Sequence, residues 1–178
     1  IGKDISFEID EDTSKALREL AKELKVSLYS LLLGGYYLML RAYSHQDDIV
    51  IGTPVANRHY TQVENLIGFF VNSLALRLQI DSKESIKEFI QRVGDEVVEA
   101  QLHQDLPFEK LVEELKVPKD TSRHPIFQVV FGVQGFWGKI YNQKNKKKIS
   151  NIVHLLQPYT TGDTLYNVAK FDISTFID

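Results

Sequence analysis

The stretch Asp47-Asp48-Ile49-Val50-Ile51-Gly52-Thr53-Pro54-Val55-Ala56-Asn57-Arg58 decides the fold. Its continuous apolar run, Ile49 to Ile51, leaves no polar face, which suits a strand buried on both sides, and Gly52 and Pro54 close that strand into a loop. A strand of this kind needs a layer above and below it. Downstream, Asn57 to Asn65 is polar and reads as an exposed loop, and Ile67 to Ile80 returns to strand character with Phe69, Phe70, Val71, Leu74, Leu76 and Leu78. Upstream, Ser27 can cap a helix from Leu28 to about Tyr43 that is apolar nearly all round and so belongs in the middle of the fold. Before it, Asp10 or Asp12 can cap a helix whose Ala16, Leu17, Leu20, Ala21 and Leu24 recur at three and four residues and give one buried face.

Beyond the second strand, Asp81 with Glu84 three residues on has the shape of a capping box and starts an amphipathic helix through Ile86, Phe89, Ile90, Val93, Val97 and Ala100. Pro107 sits where a first-turn proline is tolerated, and Phe108, Leu111, Val112 and Leu115 supply a short helix ending before Pro118. Ile126 to Val133 is β again, and the tail Phe171, Ile173, Thr175, Ile177 alternates as a last strand would. At the other end Ile5, Phe7 and Ile9 alternate with Ser6 and Glu8, which predicts an opening strand. Gly135 to Asn167 is irregular, with glycines, a lysine cluster and Pro158, and is long for a loop, which marks it as functional or mobile. This order predicts an α/β sandwich, helices packed on a mixed sheet, with residues 1–178 forming one domain without internal repeat or linker.

The 178 residues are 43% hydrophobic and 25% charged, enough for one substantial core. A net charge of -3 supplies no basic field for a phosphate backbone, so nucleic acid is not an expected partner, and the Lys144 to Lys148 cluster reads as a solvated loop. The absence of cysteine removes thiolate nucleophiles, disulfides and thiolate-bound zinc and fits a cytoplasmic location. The most apolar stretch, Leu28 to Leu40, is interrupted by Ser30, Gly34 and Gly35 and falls short of the about 20 residues that cross a hydrocarbon core, so no membrane partner is expected.

His45 and His103 each precede an aspartate by two residues, but such neighbours do not converge on a strand or helix, so neither string makes a base with its orienting carboxylate. His103, at a helix end, reads as a residue that positions its neighbours through hydrogen bonds. G-x-S-x-G, a P-loop and G-x-G-x-x-G are all missing, and the five histidines show no metal spacing, so no metal is assigned. Two segments carry polar groups a plain core does not require. Asn57 and Arg58 put an amide and a guanidinium at the mouth of the buried strand. Asn72 and Ser73 set an amide and a hydroxyl in an apolar run, where they either satisfy neighbouring backbone or face a wet channel.

Four runs together resemble the C-terminal region of nonribosomal peptide synthetase condensation domains: DDIVIGTPVANR (Asp47 to Arg58), LIGFFVNSLALR (Leu66 to Arg77), HQDLPFEKLVEEL (His103 to Leu115) and SRHPIFQVVF (Ser122 to Phe131). The opening strand, the next two helices and the closing AKFDIS from Ala169 are similar to the same family. The resemblance implies a chloramphenicol-acetyltransferase-like fold of two α/β lobes, with a tunnel between them for phosphopantetheine arms. These arms are the substrates' tethers, and no cofactor bound directly by this chain is implied. In that scheme the amine of an aminoacyl acceptor thioester attacks an acyl or peptidyl donor thioester and forms an amide.

The resemblance further implies a catalytic HHxxxDG motif that in the family belongs to the N-terminal half, and this chain has neither a histidine pair nor HxxxD. That absence, with the start in mid-strand, implies a C-terminal lobe without a catalytic residue of its own, inactive alone. Asn72, with Ser73 beside it, would line the channel near the acceptor side. Asn57 and Arg58 would lie near the junction of the halves, His103, Gln104 and Asp105 would shape the tunnel wall, and Arg123 would be a structural cation. Residues 135–167 resemble the crossover segment that bridges to the other half. Implied partners are the N-terminal half, peptidyl carrier proteins and the adjacent adenylation domain. The alternatives are a carrier-docking or scaffold module without chemistry, or an epimerisation or cyclisation domain of the same fold. Gly135 to Lys139 is similar to the DFGWG of plant-type acyltransferases, but glycine stands where the aspartate belongs, and a glycine-and-aromatic turn is the simpler account.

Overall fold

Helix starts are fixed by single side chains. Asp10 accepts from the Thr13 amide at 2.8 Å and opens α1 (Glu11–Leu24), and Ser27 accepts from the Ser30 amide at 3.0 Å and opens α2 (Leu28–Ser44). Each such cap is worth about 1 kcal/mol. The computed structural model describes residues 2–58, 60–63, 66–118, 120, 122–133 and 169–177. Among these the chain continues with β1 (Asp48–Val55), β2 (Asn72–Gln79), α3 (Ile86–Leu102), α4 (Phe108–Glu114), β3 (Val129–Val133) and β4 (Ile173–Ile177). The crossover expected at 135–167, the lysine cluster and the Gly135 to Lys139 turn lie outside the described residues.

The four strands form one mixed sheet in the order β2-β1-β3-β4, with β1 and β2 antiparallel and the other neighbours parallel. The two-residue period of β1 sorts its side chains to opposite faces. Ile49 and Ile51 join Leu74, Leu76, Leu78 and Phe131 beneath α1, α2 and α3. Val50, Ala75 and Val130 face the other way, toward Phe108 of α4, Phe127 and Phe171. The expectation of a strand buried on both sides therefore holds for β1.

Two glycines set the spacing of these layers. A Cβ on Gly34 of α2 would stand 2.2 Å from Ile90 Cδ1 of α3, and one on Gly52 of β1 would stand 2.1 Å from the Phe127 ring. Phe127 is fully buried and is itself held between Phe108, His124 and Phe171 rings at centroid distances of 5.3, 4.5 and 5.8 Å. Tyr37 closes the main core by donating to the Leu76 carbonyl at 2.8 Å, and burial pushes its hydroxyl pKa far up.

Several expectations are corrected. Ile5 to Ile9 is not a strand: Ile5 and Phe7 are exposed and the segment has no ladder partner among the described residues, although it runs close to Phe176 and Ile177 of β4. The second strand begins at Asn72 and not at Ile67, because the carbonyls of Leu66 and Gly68 are drawn to Arg58. The capping box is Ser85 with Glu88, four positions later than expected, since Glu84 forms a forked pair with Arg92 at 2.6 and 3.0 Å. That pairing holds the Glu84 carboxyl below the usual range. Pro107 is the residue before the first turn of α4 rather than within it, and β3 and β4 start at Val129 and Ile173.

The layer spacing yields a direct prediction. Gly52→Ala forces its new methyl into a ring with no room to move and should destabilise the chain by about 1–3 kcal/mol in urea unfolding. An unchanged midpoint would show that Phe127 does not sit over β1.

Candidate functional site

The polar residues singled out in the sequence meet at one corner, where β1 ends and β2 begins. Val55 pairs with Asn72 and Pro54 with Ser73, so the ladder puts the ends of both motif runs side by side. Asn57 follows with φ 50°, a left-handed conformation that asparagine tolerates better than most residues, and its Oδ1 is buried with no hydrogen-bond partner among the described residues.

Arg58 organises the loop beyond it. One terminal nitrogen donates to the carbonyls of Val63 and Leu66 at 2.7 and 2.6 Å, the other donates to Gly68 at 3.0 Å, and the guanidinium lies 4.2 Å over the Phe70 ring. Three carbonyls and one aromatic face converge on one cation, a geometry the planar guanidinium fits and an ammonium does not. The loop held in this way presents Ile67 and Phe69 almost wholly to solvent.

Asn72 resolves the alternative left open by the sequence: its amide satisfies neighbouring backbone. Its Nδ2 donates to the Gln104 and Leu106 carbonyls, both at 2.8 Å, and its Oδ1 accepts from the Phe108 amide at 3.1 Å. One side chain thus holds the turn between α3 and α4 and supplies the acceptor for the first amide of α4, which Pro107 cannot cap. A second link joins the same elements, since the Tyr60 hydroxyl donates to Asp105 at 3.2 Å and that carboxylate raises the phenol pKa. The corner therefore gathers Asn57, Arg58, Tyr60, Asn72, Ser73, Gln104 and Asp105.

His103 stands at the end of α3, exposed, with Nε2 3.2 Å from Glu99 Oε1 one turn earlier. Arg123 is exposed, close to Asp120 in charge, and no hydrogen bond among the described residues ties it to the corner. His124 stacks on Phe108 at 5.2 Å and faces the Pro125 carbonyl, and His45 ends α2 in a left-handed turn. Among the described residues no histidine is both sheltered and oriented by a carboxylate, and no cluster of three or more His, Asp or Glu side chains is placed to hold a metal ion. Nor is any helix of the described residues long and apolar enough to cross a membrane. The corner is built to shape and hold, and among the described residues it offers no proton-handling imidazole. Sequence reasoning missed Tyr60 and Phe70, whose partners are fixed only by tertiary contact.

A family model described as "Condensation domain" matches residues 2–175. The chain is 44% identical over 173 residues to N-(5-amino-5-carboxypentanoyl)-L-cysteinyl-D-valine synthase of Amycolatopsis lactamdurans, covering 97% of the chain and 4% of that protein. It is 42% identical to surfactin synthase subunit 1 of Bacillus subtilis (strain 168), again with 97% and 4% covered. The chain thus spans a small fraction of these relatives. Among solved structures, holo-AB3403, a four-domain nonribosomal peptide synthetase bound to AMP and glycine, superposes with TM-score 0.72 at 31% identity over 75% of this chain and 10% of that one. The X-domain of teicoplanin biosynthesis, solved in complex with OxyB, superposes with TM-score 0.62 at 31% identity over 66% and 26%.

The loop that Arg58 holds can be tested alone. Arg58→Lys keeps the charge but cannot reach three carbonyls at once, so limited proteolysis should cut within 60–70 at least about tenfold faster while the core unfolds within about 1 kcal/mol of the parent. An unaltered cleavage rate would mean that the guanidinium does not order this loop.

Proposed function

The chain belongs to the condensation-domain family, and on that premise we propose that it is the C-terminal lobe of a nonribosomal peptide synthetase condensation domain with a chloramphenicol-acetyltransferase-like, two-lobed fold. Its reaction is amide formation: the amine of a carrier-bound aminoacyl thioester attacks the donor thioester carbon, the tetrahedral intermediate collapses, and the donor's pantetheine thiol leaves. The upstream lobe, bearing HHxxxDG, supplies the imidazole that handles the amine proton, and this lobe supplies one wall of the tunnel. The observation that carries this reading is the corner itself, where Asn72 holds the Gln104 carbonyl, Tyr60 meets Asp105, and Arg58 orders the loop between them, with no sheltered histidine among these residues. The exposed Ile67 and Phe69 beside it, and Ile5 and Phe7 at the start, are apolar surface of the kind a second lobe covers. Carrier proteins and an adenylation domain are the partners this role requires, and the cytoplasm is its place.

A second reading is docking without chemistry. The likeness to the X-domain solved with OxyB favours it, since that protein of the same fold is found holding a partner.

Joining the chain to an upstream half with HHxxxDG and supplying loaded donor and acceptor carrier proteins separates the two. The proposal expects dipeptidyl transfer from the joined protein and none from the chain alone. Transfer by the chain alone overturns the division of labour, and a joined protein that binds carriers without transfer favours docking.

A further inference from the structure

Among the described residues five other than glycine take a positive φ, and one of these, Ile126 at 71°, is β-branched. Lys25 and His45 end helices, where a left-handed residue is ordinary, but Ile126 ends none. Across it the Phe127 amide donates to the Pro125 carbonyl at 2.9 Å, closing a three-residue γ-turn of the rare, strained hand. A branched Cβ in this backbone region costs free energy, so the turn persists only where its surroundings hold it.

Those surroundings reach the corner. The Pro125 carbonyl also lies 2.9 Å from His124 Nδ1, and because a carbonyl only accepts, that nitrogen carries the proton. Gln128 Nε2 donates to the His124 carbonyl at 3.0 Å, and the Gln128 carbonyl accepts from the Asp172 amide at 2.8 Å. The His124 ring packs among Phe108, Phe127 and Phe171 at centroid distances of 5.2, 4.5 and 4.8 Å. Phe108 is the buried residue that seats α4, and its amide is the one that Asn72 caps. Phe108, Phe127 and Val130 form an apolar cluster of their own, apart from the core beneath α1, α2 and α3.

We propose that residues 124–127 are a strained latch whose release frees α4 and the Asn72 corner as one unit while the core beneath α1, α2 and α3 stays closed. Release returns Ile126 to a negative φ and gives up the Phe127 and His124 bonds to Pro125, so Phe108 loses its stacking partner. The stored strain makes this the cheaper opening of the two apolar clusters. A partner that grips the corner only in its closed form makes the opening rarer, and so is felt at the turn. The latch stands apart from any amide-forming role, since it needs only the turn and the helix it holds.

Native-state hydrogen exchange on the full chain tests it, under conditions where exchange follows the opening equilibrium. The amides of Phe108, Leu111 and Leu115 should share one opening free energy, lower than that of Val93 in α3. His124→Phe keeps the ring and removes the Nδ1 donor, so these three amides should exchange about fivefold faster, the worth of one neutral hydrogen bond, with Val93 unchanged. Ile126→Ala and Ile126→Gly both lose the outer side chain, but only glycine loses the strained Cβ. Glycine should therefore protect the α4 amides about threefold or more better than alanine, whereas at an unstrained position it would protect them less. Alanine equal to or better than glycine would show that the turn stores no strain. Val93 exchanging in step with α4, or α4 amides indifferent to His124→Phe, would show that no separate unit is latched; each of these results overturns the proposal.

Discussion

One amide holds the working corner of this molecule together. Asn72 sits in the first position of β2, and all three of its bonds reach backbone more than thirty residues away, in the turn that joins α3 to α4. The carbonyls of Gln104 and Leu106 both accept from it, and without it the first amide of α4 would lack a side-chain cap, since Pro107 has no side-chain acceptor. Because β2 is zipped to β1 along eight residue pairs, the amide also ties that turn to the strand from which Asn57 and Arg58 emerge. Arg58 and the Tyr60–Asp105 bond extend the same scaffold outward. The polar residues of the family's motifs thus serve each other first, and the surface they form is a consequence.

Beneath the corner the sheet depends on shape. Gly52 lets the Phe127 ring lie against β1, and Gly34 lets α2 approach Ile90 of α3, so the same strand is covered on both faces at van der Waals distance. Within these tight layers the buried polar groups Ser30, Tyr36 and Tyr37 of α2 have hydrogen-bond partners.

Much of the fold was legible because periodicity and capping act locally. The Ile49 to Ile51 run, the 3.6-residue pattern of α1 and α3, and Ser27 before an all-round apolar helix each specify their own element. The failures share a cause in distant competition. Ile67 to Val71 has the composition of a strand, but Arg58 draws the Leu66 and Gly68 carbonyls at its start to itself. Glu84 has the spacing of a capping residue, but Arg92 engages it first, and Ser85 with Glu88 offers the same box four residues on. At the site, residue types announced themselves while their partners did not: nothing local says that Asn72 reaches 104 and 106, or that Tyr60 meets Asp105 across 45 residues. Resemblance to a family supplied the set of residues, and only the tertiary structure supplied what each one touches.

The claim that Asn72 organises the corner is tested most directly at the amide it caps. In native-state hydrogen exchange, Phe108 N–H should be protected by at least roughly a hundredfold over an exposed turn amide. Asn72→Ala should bring it close to the unprotected rate while Val93, in the middle of α3, keeps its protection. Fast exchange at Phe108 in the parent chain, or protection that survives the substitution, would contradict the account.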